Sequence, residues 1–577
     1  MMALCFVKGW ILSMKKYIYL LLVAILASSL LGTTVFANDV KEAKFNQSTI
    51  LLDGKHIWCN GFKILGNNYF KLRDLAENLS GTTSQFDVFW NDEKNAIEII
   101  TGKPYTSVDA QNINYYCTDR NYSAKPINTN ILVDGKLQSI IAFNIDGCSY
   151  FKLRDLGNLI PFDVDWDSKA NEIIIFSQIP QNAYRVKVEY EVNNNIVSPN
   201  FPRWGSVITS YLLNNKDKTI SVIEANNLVT IETYNEQYNL IAKKSIEYEL
   251  PIFGGFYSGE KYNYIAFGQD NYEENDDKEV IRIVRYDKNF KRIDSVSIKG
   301  GESITVGPFN AGSGRMAEYG NRLVFHTSRI RYTTEDGLNH QSQLTIIVNT
   351  STMKVTNDLG RFQSNHVSHS FAQYVLFDND AHVLIDHGDA YPRSIVLHKE
   401  KGKYYSEADL FKIPGKIGAN CTGVSVGGFE ISSANYIVAM NTIDHSLVSD
   451  YTSYDMIGLE IDQRDIILCI LPKNNIDSTS VKQAIIKKYV GSDKNASIPQ
   501  LLKISDDKLM VMWQEYDNYN ILGDLKYVLI DKDGNTTSEI KTIKKFKLSK
   551  GNPIVVNNKI IWYVNENGIR IFYSIPF

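Results

Sequence analysis

The chain has 577 residues and a formal net charge of −4, spread evenly along its length. This balance argues against nucleic acid or an anionic surface as the partner. Twelve per cent of the residues are aromatic, with 34 tyrosines among them, a composition typical of a sheet-rich exported protein.

The N-terminus predicts a secretory signal peptide over residues 1–37. A basic stretch at Met14–Lys16 precedes the apolar run Tyr17–Leu31, and Val35-Phe36-Ala37 supplies small residues for cleavage. We favour Met14 as the true start. A retained membrane anchor is the alternative, and the Val-x-Ala ending favours cleavage. No later segment reaches about 18 consecutive apolar residues, so we expect no membrane span after cleavage.

Cysteine use is sparse beyond the signal peptide. The chain keeps five cysteines there and no CxxC pair: Cys59, Cys117, Cys148, Cys421 and Cys469. This is not a disulfide framework. One bridge among the first three cysteines fits the pattern, as do small buried thiols without any bridge.

Residues 48–178 contain an internal repeat. The heptapeptide YFKLRDL stands at Tyr69–Leu75 and again at Tyr150–Leu156, 81 residues later. Several flanking segments also match: Ile50–Lys55 with Ile131–Lys136, and Phe86–Trp90 with Phe162–Trp166. Two copies of one structural unit are therefore expected.

Each copy predicts the order β-β-β-α-β-β. Asp53-Gly54 and Asp134-Gly135 indicate hairpin turns. Apolar residues spaced along one face predict a short amphipathic helix in each copy that covers the sheet. They are Leu72, Leu75, Ala76 and Leu79 in copy one, and Leu153, Leu156, Leu159 and Ile160 in copy two. We interpret the paired Arg73-Asp74 and Arg154-Asp155 as structural, with the aspartate favoured in the first helical turn. A ligand-contacting role is the alternative.

These motifs resemble the copper amine oxidase N-terminal-like domain, also called the stalk domain. The resemblance rests on a tyrosine and a hydrophobic residue before LRDL, an F-x-V-x-W strand, a polar turn and an isoleucine-rich strand, and both copies carry it. It implies an α+β extracellular appendage, common in exported proteins of Gram-positive bacteria and often joined to other modules. It implies neither copper nor oxidation, since the stretch has one histidine, His56. We expect no cofactor.

Residues 180–577 predict an all-β propeller. Two-residue alternation dominates, and units begin near residues 204, 252, 315, 366, 424 and 498, the spacing of four-stranded blades. The strand Tyr184–Val192 has no partners of its own, and residues 551–577 hold about three strands. We expect these to join in one blade that closes the ring. Seven blades follow, with six, eight or a pair of β-sandwiches as alternatives.

Seven of the nine histidines lie between His326 and His398. Two strings, NHVSHS at 365–370 and DHGDAYPR at 386–393, combine imidazoles with carboxylates. They provide the candidate ligand-binding residues His366, His369, Asp386, His387, Asp389, Tyr391 and Arg393. This set suits a divalent metal or a sugar- or peptide-binding cluster, and turn chemistry is the third interpretation.

We therefore interpret the chain as an exported binding or scaffolding protein, secreted or associated with the cell wall of a Gram-positive-type bacterium. The expected partner is a cell-envelope component, a polysaccharide or a protein. The alternative is an extracellular carbohydrate- or peptide-acting enzyme that uses Asp386, His387 and Asp389 in the propeller channel. The sequence contains no G-x-S-x-G, HExxH, GxxxxGK[ST] or GxGxxG motif, and we assign no catalytic residue.

Cleavage of the signal peptide after Ala37 predicts that the exported protein begins at Asn38. N-terminal sequencing of secreted material checks this. A chain that begins upstream of Thr33 would contradict cleavage at this site and favour the retained anchor.

Overall fold

A computed structural model of the chain describes residues 40–577 except 47, 54, 83, 108–119, 158, 161, 168–170, 178–182, 189, 203, 216, 449–462, 518–520 and 567. The predicted signal peptide, Gly54 of the first predicted turn and Cys117 lie outside this set. The chain separates near residue 178 into two compact units. Within the described ranges, no helix is long and apolar enough to cross a membrane.

The N-terminal unit contains short strands and two helices. They are β1 (Lys41–Phe45), β2 (Thr49–Leu52), β3 (Lys55–Ile57), β4 (Gly61–Ile64), β5 (Asn67–Lys71), α1 (Leu72–Leu79), β6 (Phe86–Asn91), β7 (Ala96–Thr101), β8 (Asn121–Pro126), β9 (Asn130–Val133), β10 (Lys136–Gln138), β11 (Ala142–Ile145), β12 (Cys148–Lys152), α2 (Leu153–Gly157), β13 (Asp163–Asp167) and β14 (Glu172–Phe176).

The two copies of the repeat are interleaved in this unit. Six strands form a closed barrel in the order β1-β4-β5-β12-β11-β8. The hairpin β2–β3 of copy one joins β14 of copy two through a parallel pairing, and the hairpin β9–β10 of copy two joins β7 of copy one in the same way. Helix α1 buries the predicted leucine stripe, with Leu72, Leu75 and Leu79 in the core. Neither copy's sheets are complete without the other.

Five strands precede each helix, β1–β5 before α1 and β8–β12 before α2, so the predicted count of three is wrong. A two-residue turn splits the predicted third strand, at Leu65-Gly66 in copy one and at Asp146-Gly147 in copy two. All four residues have positive φ, between 49° and 84°, as a tight hairpin turn requires. Leucine is rare in that conformation, so Leu65 gave no turn signal in the sequence.

The C-terminal unit consists of β-strands arranged in seven sheets within the described residues, together with one short helix, α3 (Gly300–Ser303), and two short 3-10 helices, His445–Leu447 and Ser478–Ser480. A first strand, β15 (Ala183–Lys187), precedes sheet 1. Sheet 1 contains β16 (Ser210–Asn214), β17 (Ile220–Ala225), β18 (Leu228–Tyr234) and β19 (Leu240–Glu247), and sheet 2 contains β20 (Ile252–Ser258), β21 (Asn263–Gly268), β22 (Glu279–Tyr286) and β23 (Arg292–Lys299).

Sheet 3 contains β24 (Thr305–Pro308), β25 (Arg315–Tyr319), β26 (Arg322–Arg331), β27 (Gln341–Asn349) and β28 (Lys354–Val355), and sheet 4 contains β29 (Ser370–Asp378), β30 (Ala381–Gly388), β31 (Ser394–Lys401) and β32 (Tyr404–Lys412).

Sheet 5 contains β33 (Val424–Ile431), β34 (Asn435–Thr442), β35 (Asp465–Pro472) and β36 (Lys482–Lys487); sheet 6 contains β37 (Lys494–Ala496), β38 (Gln500–Ser505), β39 (Lys508–Asp517), β40 (Ile521–Asp531) and β41 (Lys541–Ile543); and sheet 7 contains β42 (Ile554–Val556), β43 (Lys559–Glu566), β44 (Ile569–Pro576) and β15.

The fold of this unit is propeller-like. Successive sheets meet through early strands: β20 lies against β25, β25 against β29, β29 against β33, β33 against β38, and β42 of sheet 7 against β16 of sheet 1. The inner strands β20, β25 and β33 begin at the predicted unit starts 252, 315 and 424. Apolar side chains alternate along these strands and fill the spaces between sheets.

Sheet 7 is built from both ends of the unit. Strand β15 pairs antiparallel with β44, from Ala183 opposite Tyr573 to Lys187 opposite Ile569. The predicted union of the strand near Tyr184 with the C-terminal strands is confirmed. The pairing covers an edge of the C-terminal hairpin that would otherwise be open.

A buried ionic network joins sheet 7 to sheet 1. Arg570 on β44 is fully buried and donates from Nη1 to Glu232, while its Nη2 lies 3.6 Å from Glu224. Tyr563 donates to the same Glu224 oxygen over 2.7 Å. Removing charges from water is costly unless they are paired and hydrogen-bonded, as they are here. We call this set of four residues the seam network.

No disulfide joins any two of the described cysteines. Cys59 and Cys469 are buried thiols, and burial raises the pKa of both above the ordinary value. These two cysteines act as small apolar side chains. A bridge that involves Cys117 stays a prediction.

Replacement of Arg570 by methionine is expected to destabilise the C-terminal unit by about 3–5 kcal/mol. Among the described residues, Glu224 would then have no cation within ion-pair distance, and Glu232 would keep Lys243 at 3.8 Å. Chemical unfolding followed by tryptophan fluorescence measures the change, because Trp513 and Trp562 are buried in this unit.

The matched control is Arg292→Met in the same unit. Arg292 is half exposed and pairs with Glu249 over 2.7 Å, so its loss should cost about 0–1 kcal/mol. Equal effects of the two substitutions would contradict a special role for the seam network.

Candidate functional site

The structure brings the two histidine-containing strings together within sheet 4. Ser370 at the start of β29 lies opposite Gly388 at the end of β30. The Ser368 N–H donates to the carbonyl of Tyr391 over 3.0 Å, and the Asp389 N–H donates to the carbonyl of His369 over 3.3 Å. The two strings therefore belong to one hairpin of a single sheet.

Asp386 lies at the centre of a fully buried polar group. Its Oδ2 is 3.0 Å from Nε2 of His326 on β26 of sheet 3, and its Oδ1 accepts from the Ser370 hydroxyl over 2.6 Å. The other ring nitrogen of His326 lies 3.0 Å from the Thr345 hydroxyl. All four side chains are shielded from solvent. The group joins sheet 3 to sheet 4.

This order of contacts does not activate a nucleophile. In a serine hydrolase the histidine lies between the serine and the carboxylate, so that the imidazole can take the hydroxyl proton. Here the carboxylate of Asp386 lies between Ser370 and His326. The hydroxyl therefore donates to an acceptor-only group, and no reacting atom has access. The contacts indicate a structural polar cluster.

Asp389 fastens the loop after β30. One carboxylate oxygen is 3.0 Å from Nδ1 of His369, and the other accepts from the Asn420 N–H over 2.5 Å. Arg393 donates to the carbonyls of Asp389, Pro414 and Cys421. These hydrogen bonds satisfy backbone groups, which is the behaviour expected of turn chemistry.

The remaining candidate residues are dispersed. His387 is buried, with Nε2 3.0 Å from the Thr422 hydroxyl and its ring edge-on to Phe371. Burial and the nearby arginines lower the pKa of His387 to about 3, so it is neutral at physiological pH. Tyr391 projects into solvent. His366 packs edge-on against the ring of Phe362.

No cluster of three metal-ligating side chains occurs in the part of the chain that the structure describes. The predicted residues form separate pairs instead, and each carboxylate already accepts hydrogen bonds from protein donors. The metal interpretation of the two strings gains no support from this geometry.

The chain between β15 and β16 crosses the ring of sheets. It starts in sheet 7 and ends in the neighbouring sheet 1, yet it contacts residues of sheets 6 and 4 and a residue beside sheet 5. Tyr516 of sheet 6 donates to the Val197 carbonyl over 2.8 Å, and the guanidinium of Arg464, beside sheet 5, lies 4.0 Å from the centre of the Phe201 ring. The Gly205 N–H donates to the Phe371 carbonyl in sheet 4 over 2.8 Å. This crossing covers Phe371, which packs on His387.

A cleft of about 830 Å3 opens in the N-terminal unit, apart from all of these residues. Its apolar walls include Trp58, Phe89 and Trp90, which are exposed to solvent although they are large and apolar; Trp58 is 72% exposed. Single exposed hydrophobic side chains are ordinary, whereas three that line one concave surface indicate a binding site.

The polar groups of the cleft divide into fixed and available ones. Asp74 accepts from the N–H and the side-chain amide of Asn60, both over 2.9 Å, and Asn78 donates to the Trp58 carbonyl over 2.9 Å. These contacts hold the loop that presents Trp58. Arg73 and Glu77 lie on the exposed face of α1 and line the cleft.

The two residues of the Arg73-Asp74 pair therefore have different surroundings. Asp74 is structural, as the sequence predicted, and lies 3.5 Å from Lys71. Arg73 instead lines the cleft, so the ligand-contacting alternative stays a prediction for this residue.

Residues of both copies line the cleft, and several of the copy-one positions in it have no match in the sequence of copy two. The framework positions are the same in both copies: Phe70 and Phe151, Leu72 and Leu153, and Leu75 and Leu156 are all buried. The cleft positions Trp58, Asn78 and Phe89 correspond by offset to Ser139, Leu159 and Asp165. The copies thus share a core and differ where the cleft is lined.

Sequence reasoning missed this cleft, although a signal was present. Alignment of the repeat to itself marks Trp58 as a large aromatic residue outside the alternating strand pattern and absent from copy two. The candidate residues were chosen from the histidine-rich segment instead, because a sequence shows the chemical type of each residue but not its exposure to solvent.

Comparison with known proteins adds little. No family model matches the chain, and no curated protein matches it. Nothing in the comparisons supports a copper amine oxidase domain, so that resemblance stays a prediction.

Solved structures with partial similarity include β-propeller-like proteins. A protein of unknown function from Dyadobacter fermentans is 11% identical, over 61% of this chain and 100% of that chain, with a TM-score of 0.34. The N-terminal domain of Nup159 is 10% identical over 67% and 98%, with a TM-score of 0.32. BamB from Moraxella catarrhalis is 8% identical over 68% and 98%, with a TM-score of 0.31. Scores this low carry no conclusion about function.

Replacement of Asp386 by alanine is expected to destabilise the C-terminal unit by about 3 kcal/mol, because it leaves His326 and Ser370 buried without their shared acceptor. The control is Asp336→Ala, which breaks an exposed aspartate–histidine pair of 2.7 Å with His340 and should cost less than about 1 kcal/mol. Chemical unfolding of both variants checks this. Unchanged stability of Asp386→Ala would contradict the structural role.

Proposed function

We propose that this chain is an exported binding protein and that the cleft of its N-terminal unit holds a glycan of the cell envelope. The observation that carries the proposal is the exposure of Trp58 and Trp90 on the walls of a single cleft with a polar rim. Under this proposal the N-terminal unit is the stalk-like module, and the C-terminal unit is a seven-bladed propeller that acts as a scaffold.

Aromatic walls suit a sugar better than they suit most other polar ligands. A pyranose ring has one face of C–H groups that packs on an indole, and its hydroxyls extend toward the sides. Indole rings also bring large contact area with few rotatable bonds, so little conformational entropy is lost on binding. Trp58, Phe89 and Trp90 offer such surfaces.

The polar rim of the cleft fits hydroxyl groups. Asn128, Thr129 and Asn144 provide neutral donors and acceptors, and Arg73 and Glu77 add one charge of each sign. A cleft with balanced charges favours a neutral ligand or one with few charges over a polyanion. The volume of about 830 Å3 is in the range of small-ligand sites and accommodates two or three sugar units.

The enzymatic alternative has less support from the geometry. The carboxylates of Asp386 and Asp389 accept hydrogen bonds from the protein itself, and both are fully buried. A hydrolytic site needs a carboxylate or imidazole that reaches the substrate. The exposed aromatic cleft requires only binding.

The proposal predicts that Trp58→Ala and Trp90→Ala each weaken glycan binding by at least about tenfold, since each removes a stacking surface that would contribute on the order of 1.5 kcal/mol. Affinity electrophoresis of the exported protein in gels that contain soluble polysaccharides, followed by calorimetry with chitohexaose, cellohexaose and mannohexaose, measures the loss.

The matched control is Trp204→Ala. Trp204 lies in the C-terminal unit and is also exposed, at 54%, so its loss removes an exposed indole without touching the cleft. A glycan affinity that falls equally in all three variants, or no binding of any tested polysaccharide or hexaose by the parent protein, would contradict the proposal.

A further inference from the structure

Two arginines of strand β26 are buried without a carboxylate. Arg329 and Arg331 are two residues apart, so they project from the same face of the strand, and Arg331 is only 4% exposed. Among the described residues, no acidic side chain lies within ion-pair distance of either one. Buried arginines in proteins are usually paired with acidic groups.

Arg329 is held by backbone carbonyls. Its Nη1 donates to the carbonyls of Ser303 and Leu359, and its Nη2 donates to the carbonyl of Gly360 over 2.7 Å. These neutral acceptors fix the side chain and tie the loop at 359–366 to β26, but they do not neutralise the charge. Burial and the neighbouring Arg331 lower the pKa of Arg329 to about 9, still cationic at neutral pH.

Arg331 has few partners of its own. Its Nη1 reaches the Arg361 carbonyl at 3.4 Å, and its Nε is buried with no hydrogen-bond partner in the described structure. A guanidinium has five N–H donors in a fixed planar fork, a shape that matches a carboxylate, sulfate or phosphate group. Most of this capacity is unused.

His366 faces the same place. Its Nδ1 is buried and has no hydrogen-bond partner within the described residues. Burial and the two arginines lower the pKa of His366 to about 4, so these cationic groups are close to the imidazole. A neutral imidazole still offers one N–H to an anion.

The ring of Phe362 covers this group from the solvent side. The guanidinium of Arg331 lies 4.8 Å from the centre of the ring, and the ring of His366 lies edge-on at 4.9 Å. Phe362 itself is 61% exposed. An aromatic side chain in such a position holds the guanidinium through a cation–π contact and can move aside, because little packs on its outer face.

The charges elsewhere around the group do not replace a counter-ion. The nearest acidic influences are Asp358 on Arg329 and Asp386 on His366. Asp386 already accepts from Ser370 and contacts His326. The fully buried Arg570, by contrast, has two glutamates. The cluster of Arg329, Arg331 and His366 thus has an excess positive charge in a place that water barely reaches.

We propose that the space beneath Phe362 is a binding site for a compact oxyanion, with Arg331 as the principal ligand and His366 as a second donor. The ligand is a carboxylate, sulfate or phosphate group, either as a free ion or on a larger molecule whose remainder extends past Phe362. This site lies in the C-terminal unit and is independent of the glycan cleft.

The experiment uses the full exported chain at constant ionic strength, with chloride as the reference ion. Calorimetry and thermal melting are carried out with sodium sulfate, sodium phosphate, sodium acetate and oligogalacturonate. The wild-type protein should bind at least one of these anions and melt at a higher temperature in its presence. Tighter binding of oligogalacturonate than of acetate that persists in Trp58→Ala indicates a group carried on a polymer, and equal binding indicates a free ion.

Arg331→Met should weaken anion binding at least tenfold and abolish the rise in melting temperature, because it removes the bidentate fork. In chloride alone this variant should melt at the same temperature as the wild type or above it, since it removes a buried charge without a carboxylate. Arg331→Lys retains the charge but not the fork, and should also bind at least tenfold more weakly. Arg292→Met is the control and should bind as the wild type does.

Two results would overturn the proposal. One is the absence of any anion-dependent binding or stabilisation in the wild-type protein. The other is a lowered melting temperature of Arg331→Met in chloride together with unchanged anion affinity, which would make the arginine purely structural. Trp58→Ala should leave anion binding unchanged, so failure of the glycan proposal and failure of this one are distinguishable.

Discussion

One buried guanidinium holds the seam at which the C-terminal unit closes. Sheet 7 draws its strands from both ends of that unit, and Arg570 on its strand β44 bonds to Glu232 and faces Glu224, both in sheet 1. Every other sheet among the described strands of this unit is continuous in sequence, so no other junction between them depends on pairing residues nearly 400 positions apart. This closure also covers the edge of β44, which would otherwise be open to pairing with another chain.

Some buried charged side chains of this unit have charged or hydrogen-bonding partners that compensate the charge, and others do not. At the seam, opposite charges meet and neighbouring tyrosine and asparagine side chains complete the hydrogen bonding. Between sheets 3 and 4, Asp386 is satisfied by His326 and Ser370. Arg329 and Arg331 lie nearby without such compensation. The anion proposal follows from the contrast between these two arginines and Arg570, which faces two glutamates.

In the N-terminal unit, the core and the exposed aromatic walls of the cleft use different residues. Its two copies share buried residues such as Phe70 and Phe151, and they exchange hairpins so that each completes the other's sheet. This common core leaves exposed positions free to differ between the copies, and Trp58 and Phe89 of copy one line the cleft together with residues of copy two. Duplication followed by divergence on one surface is a simple way to obtain a site without loss of the fold, because exposed positions contribute little to packing.

The sequence alone determined the repeat, the leucine stripe of α1, the spacing of the β units and the union of the strand near Tyr184 with the C-terminus. These features depend on local periodicity and on a count of strands, which a chain displays directly. It did not reveal the turn at Leu65-Gly66, because leucine seldom adopts positive φ. The sequence grouped His366, His369, Asp386 and Asp389 by chemical type, and only the tertiary structure decided that Asp386 and Asp389 were already satisfied by protein donors. Likewise, the exposure of Trp58 and the missing counter-ion of Arg331 depend on which residues, distant in the chain, lie beside them in the fold. Burial and pairing arise from contacts between such neighbours, and no pattern of adjacent residues encodes them.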